Sequence, residues 1–161
     1  MPEPAVSILM GSKSDWEVMK AAADTLTQFG ISNESKVLSA HRTPKEAVAY
    51  IEAAEGRGTK VIIAAAGGAA HLAGVCAAHT TLPVLGVPML GWSVDGLDAL
   101  LSTVQMPPGI PVGTLAIGKP GAINAALLAV SIIALGDPAL KKRLLGYRDD
   151  MRAKILSETL A

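Results

Sequence analysis

Several things are scarce or missing in this chain of 161 residues. Net charge is absent: fourteen Lys and Arg balance fourteen Asp and Glu. No global field therefore draws the protein to nucleic acid or to an anionic membrane. Cysteine occurs once, at Cys76, which excludes an internal disulfide and fits a reducing cytoplasm. The most apolar stretch, Ala125 to Leu135, falls well short of the roughly 20 residues that cross a bilayer. The first ten residues carry no basic segment followed by an apolar one, so no secretory leader is expected. A soluble, cytoplasmic protein with neither nucleic acid nor membrane as partner is the expectation.

What is present is small and apolar. Hydrophobic residues make up 50% of the chain against 17% charged, and aromatics only 3%. Alanine supplies much of the apolar share, which suits close approaches of helix and backbone. One domain of this size cannot hide that much apolar surface by itself, so association into an oligomer is expected.

The order of elements is repetitive. Apolar runs at Val6–Met10, within Ser32–Ser39, at Val61–Ala66, Val84–Val87 and Val112–Ile117 read as strands. Helices are expected from about Asp15 to Phe29, Pro44 to Glu55, Ala69 to Ala78, Gly96 to Val104 and Gly121 to Leu135. A last charged helix, about 137–158, is capped by Asp137-Pro138. Strands apolar throughout, each followed by a helix, make a parallel sheet covered on both faces. The expected fold is a three-layer, doubly wound α/β domain, flavodoxin-like, with strand order 2-1-3-4-5. It spans 1–161 as a single catalytic domain, its last helix packing on neighbouring subunits.

That order brings three turns to one sheet edge. Ser39-Ala40-His41-Arg42-Thr43-Pro44 puts a titratable imidazole beside a fixed cation at a strand-to-helix turn. Thr43-Pro44-Lys45-Glu46 reads as a capping box with proline at the first helical position. Gly11-Ser12-Lys13-Ser14-Asp15 offers backbone N–H groups and two hydroxyls to a phosphate, and a carboxylate to ribose hydroxyls. Ser14 and Asp15 also serve as plain helix caps. Ala64 to Ala70 has little or no side chain, so a ligand can lie on bare backbone there. His71 follows, able either to brace that loop or to react. Cys76 and His79 stand three apart on one helix, but with no further ligand pair nearby in sequence a metal is discounted.

Longer motifs carry a resemblance. They are Gly-Ser-Lys-Ser-Asp at 11–15, Ser-Ala-His-Arg-Thr-Pro at 39–44 and Ala-Gly-Gly-Ala-Ala-His-Leu at 66–72. Val-Gln-Met-Pro at 104–107, Gly-Ile-Pro-Val at 109–112, Ala-Ile-Gly at 116–118 and Asn-Ala-Ala-Leu-Leu-Ala at 124–129 follow in order. The chain resembles the class I N5-carboxyaminoimidazole ribonucleotide mutases, the PurE family of bacterial de novo purine (IMP) synthesis. The resemblance implies an isomerase without cofactor that moves a carboxylate from N5 to C4 of one nucleotide. It also implies a homo-octamer with sites at subunit boundaries. His41 is then the acid and base. Ser12, Ser39 and Arg42 hold phosphate, Asp15 holds ribose, and the loop of Gly67, Gly68, Ala69 and Ala70 surrounds the migrating carboxylate, with Ser14 and His71 counted among the substrate-binding residues.

One imidazole can first give and later take a proton, since its ordinary pKa of about 6.5 keeps both forms at hand. Three departures from the family pattern stand out: Ala65 and Ala73 where glycine and proline are expected, and Gly91-Trp92-Ser93-Val94-Asp95 in place of a loop with serine and smaller side chains. Trp92, in the loop 91–95, is a candidate lid for the base or a contact to a neighbouring subunit. Two other functions remain open on sequence grounds. One is a carboxylase that adds free carbon dioxide to aminoimidazole ribonucleotide. The other is a flavin- or nucleotide-binding module, although few aromatics are available to enclose a flavin.

Overall fold

A computed structural model describes residues 3–160. Five parallel strands lie in the order β2-β1-β3-β4-β5: β1 is Val6–Met10, β2 Asn33–Val37, β3 Val61–Ala66, β4 Val84–Pro88 and β5 Gly113–Thr114. The helices are α1 Trp16–Gln28, α2 Pro44–Glu52, α3 Leu72–Ala78, α4 Leu97–Val104, α5 Lys119–Ile133 and α6 Pro138–Leu156. None is long and apolar enough to cross a membrane among the described residues. The flavodoxin-like architecture is as expected.

Each central strand is buried on both faces, which is why it is apolar without alternation. Val6, Ile8 and Met10 of β1 face one core with Met19, Ala22 and Leu26 of α1 and the alanines of α5. Leu9 faces the other, with Ile51, Leu72 and Cys76. Helix α5 presents Ala122, Ala125, Ala126 and Ala129, all fully buried, so two helix backbones come close where larger side chains would hold them apart. Leu140, Leu144 and Tyr147 of α6 pack on the same core, while Leu128 stays 39% exposed. Two buried hydroxyls, Ser7 and Thr59, bond one another, and Ser7 also meets the Tyr50 hydroxyl, so the core holds these polar atoms satisfied.

Three boundaries and one cap differ from expectation for local reasons. Helix α2 stops at Glu52, and a 3-10 turn over Glu55–Arg57 leads to Gly58 at φ +82°. Helix α3 begins at Leu72 rather than near Ala69, because Gly68 takes φ +63° and the Ala70 N–H is committed to Ser102. The capping box does not form. Pro44 does open α2, but the Thr43 hydroxyl turns back, donating to Ser39 O at 3.1 Å and accepting from Ser39 N at 2.9 Å.

Strand β5 shrinks from six residues to two. Leu115 N donates to Gly86 O and Gly118 N to Pro88 O, so three residues on one side span two on the other. That is a bulge, and it takes residues 116–117 out of the ladder.

Candidate active site

The three turns meet at the carboxyl ends of β1, β2 and β3, the crevice that this strand order creates. The first is a 3-10 turn, Lys13–Asp15, capped by Ser12, whose hydroxyl accepts from Ser14 N at 3.3 Å and from Ser14 Oγ at 2.9 Å. Asp15 precedes α1 without a capping bond of its own. Its carboxylate is therefore not used to cap the helix. Burial pushes its pKa above the ordinary carboxylate value, against a hydrogen bond from the Ser12 backbone and the charge of Arg42, which both pull it down.

The second turn is closed by its own hydroxyls. Ser39 is nearly buried, and its Oγ accepts from Arg42 N at 3.2 Å and from Arg42 Nε at 3.3 Å. The far end of the guanidinium donates to Gly11 O in the first turn. Arg42 thus pins two turns together, stays exposed, and acts electrostatically on Asp15. His41 is exposed and reaches the third turn, its Nε2 lying 2.8 Å from His71 Nδ1. The rings meet edge to face, centroids 4.9 Å apart at 84°. Only one of those two nitrogens can carry the shared proton, so the tautomer of each imidazole sets that of the other.

The third turn follows β3, whose Ala65 O accepts from Gly11 N at the start of the first turn. Its residues 67–70 bear no side chain beyond a methyl. Ala70 N donates to Ser102 Oγ at 2.8 Å, a contact from α4 that no local motif announced. Residues 5–154 match the model of a protein family described as AIR carboxylase.

The chain belongs to that family. An N5-carboxyaminoimidazole ribonucleotide mutase of Brucella melitensis is 59% identical over 143 residues, which is 89% of this chain and 88% of that protein. One of the same name from Bacillus subtilis is 52% identical over 157 residues, covering 98% of this chain and 97% of its own. Among solved structures, Treponema denticola PurE superposes with a TM-score of 0.86 at 30% identity, covering 95% of this chain and 94% of its own.

In this member of the AIR carboxylase family, all the residues expected from sequence, Ser12, Ser14, Asp15, Ser39, His41, Arg42, Gly67, Gly68, Ala69, Ala70 and His71, lie on the three joined turns. Cys76 lies away from them, buried in α3, and burial pushes its thiol up to about 12. It is inert at neutral pH. His79 faces Glu52 at 3.3 Å instead, and no metal-ligand cluster occurs among the described residues. The side chain of Trp92, a candidate lid, lies outside the described part. Two apolar clefts lie between α5 and α6, lined by residues such as Leu128, Leu144 and Leu145 and by none from the three turns.

Asp15 supplies a test of the family site. Its raised native pKa means that ionisation costs more in the folded than in the unfolded protein. Below the ordinary carboxylate value of 3.8 both states are protonated and nothing is lost. As pH rises through the raised native value the penalty appears, and it is complete at neutrality. Asp15→Asn is therefore expected to be more stable than wild type at neutral pH, with the gap closing as the pH falls toward about 4. Melting temperatures of both proteins across that range check it; a constant gap would show that the carboxylate carries no burial cost.

Proposed function

We propose that the chain is an N5-carboxyaminoimidazole ribonucleotide mutase, an isomerase of de novo purine synthesis. The observation that carries this is the junction at His41 and Arg42. There an exposed imidazole, hydrogen-bonded to His71, stands next in sequence to a guanidinium that ties the first two turns together. Curated relatives over nearly the whole chain bear the mutase name.

The residues divide the work. The Ser12–Ser14 turn, Ser39 and Arg42 hold the phosphate through hydroxyls and a charge-assisted hydrogen bond, and Asp15 accepts from the ribose hydroxyls. His41 donates a proton to the carbamate nitrogen as the N5–carbon bond breaks, and its electron pair stays on N5. Carbon dioxide is freed beside an electron-rich ring. Carbon 4 attacks it, and the displaced C4 proton returns to His41. The loop Gly67–Ala70 keeps the carbon dioxide within bonding distance, so proximity favours recapture over escape. The chemistry requires no cofactor.

The molecule works as a homo-oligomer, an octamer by resemblance, in the cytoplasm. Exposed Leu97, Leu101 and Val104 on α4 and Leu145, Met151 and Ile155 on α6 support association. The family description itself names a carboxylase, so substrate choice is the deciding experiment. Purified protein is given either the N5-carbamate, or the bare amine with bicarbonate. Rapid product formation from the carbamate is expected. Turnover confined to the bare amine would make the protein a carboxylase.

A further inference from the structure

We infer that Ser102 is a positioning residue, the post that holds the Gly67–Ala70 loop over the carbon dioxide intermediate. This rests on the mutase function proposed above. The loop has no side chain with which to hold itself, and the side-chain hydrogen bond it receives comes from Ser102, whose Oγ lies 2.8 Å from Ala70 N. Ala70 is 2% exposed, so water cannot replace that acceptor.

The polarity of the bond is fixed. A hydroxyl has one proton, and Ser102 donates it to Asp98 O at 2.6 Å, one helical turn back. The lone pairs facing Ala70 can then only accept. The donor, the acceptor and the helix carbonyl form one directed chain from α4 into the loop.

The post itself is tightly packed. Helix α4 presses on β4 so closely that a Cβ at Gly86 would lie 2.5 Å from Thr103 Cγ2. Its N-terminal side is held too: Gly96 sits at φ +86°, and a Cβ there would approach Met89 O to 3.0 Å. Below it, Met106 packs on Gly74 of α3, its Sδ 3.1 Å from where a Cβ would be. Ser102 therefore couples the loop after β3 to a helix anchored on β4, outside the phosphate-binding turns altogether.

The consequence is a specific failure. In the first half of the reaction the N5–carbon bond breaks, N5 gains a proton and carbon dioxide is free. If the loop drifts, the gas escapes, and the reaction ends at bare aminoimidazole ribonucleotide. Ser102 thus governs partition between completion and loss, and leaves nucleotide binding to Arg42 and its neighbours.

The experiment uses substrate labelled in its carboxylate, with loss in the absence of enzyme subtracted. For Ser102→Ala, kcat is expected to fall about tenfold, the effect of one hydrogen bond. KM should stay within about twofold, and label lost as carbon dioxide per product formed should rise severalfold. Ser102→Thr keeps the hydroxyl and is expected to restore wild-type partition. If Ser102→Ala does not fold, Ser102→Cys, close in size but a poor acceptor, carries the same expectation. Wild-type partition in the alanine or cysteine variant would overturn the inference, as would a threonine variant as leaky as alanine. A wild type that fails to convert the carbamate would instead remove the mutase function itself.

Discussion

His41→Asn is expected to abolish turnover while leaving nucleotide binding nearly intact. General acid–base catalysis by a placed side chain contributes about 10²–10⁴-fold, and here one group serves both proton transfers, so the fall in kcat should reach at least about 10³-fold. The carboxamide cannot give up or take a proton near neutrality. It can still hydrogen-bond His71, which lies 2.8 Å from the native imidazole, so His71 need not be released. Binding resides in other groups: Arg42 holds its place through Ser39 and Gly11 whatever stands at 41. Calorimetric titration with the product nucleotide should therefore give a Kd within about threefold of wild type, a change under about 1 kcal/mol. Single-turnover conversion should disappear. Lost affinity with normal conversion of whatever still binds would reverse the roles of His41 and Arg42.

The second large effect concerns stability. At Gly121, in the first turn of α5, an added Cβ would lie 1.7 Å from Ala116 O. No rotamer relieves that, because the Cβ position and the carbonyl are both fixed by backbone. Gly121→Ala must push α5 off the segment that leads into it, and α5 carries the alanine face on which α1 packs. A loss of about 3 kcal/mol or more is expected, beyond the usual range for overpacking.

The same substitution at Gly146 makes the control. That residue lies within α6 with nothing within 4 Å of an added methyl, so Gly146→Ala should gain about 0.5–1 kcal/mol from helix propensity. Urea unfolding of the two variants should move in opposite directions from wild type. A tolerated Gly121→Ala would mean that the 116–121 segment yields easily.

The sheet was legible because its central strands are buried on both faces, which leaves apolar runs without alternation at 6–10, 61–66 and 84–88. Strand β2 was harder to bound, since an edge strand reading Asn-Glu-Ser-Lys-Val has little apolar content. The end of β5 was not legible at all. Its bulge depends on which carbonyls of β4 the chain meets, and that is a fact of register, not of composition.

The site divides in the same way. The candidates Ser12 and Asp15, and His41 and Arg42, were legible as two short turn motifs, and the strand order then gathers the turns. The direction of the Thr43 hydroxyl could not. A threonine before Pro-Lys-Glu has a local partner available for capping, and only the tightness of the 39–43 turn decides that it goes to Ser39 instead. Ser102 lies 32 residues from the loop it touches, in a helix whose pattern is explained by burial alone. Long-range contacts of a single hydroxyl leave no periodic trace.

The two ends of the sheet set how copies of this chain can meet. On one side β2 offers Glu34 and Lys36 along an open strand. On the other, β5 pairs for only two residues before its bulge turns the backbone away. Neither border is a template for another strand. A polypeptide this rich in alanine and valine can thus crowd its own copies together through helices while its hydrogen-bonding ladder stays closed to runaway growth into fibres.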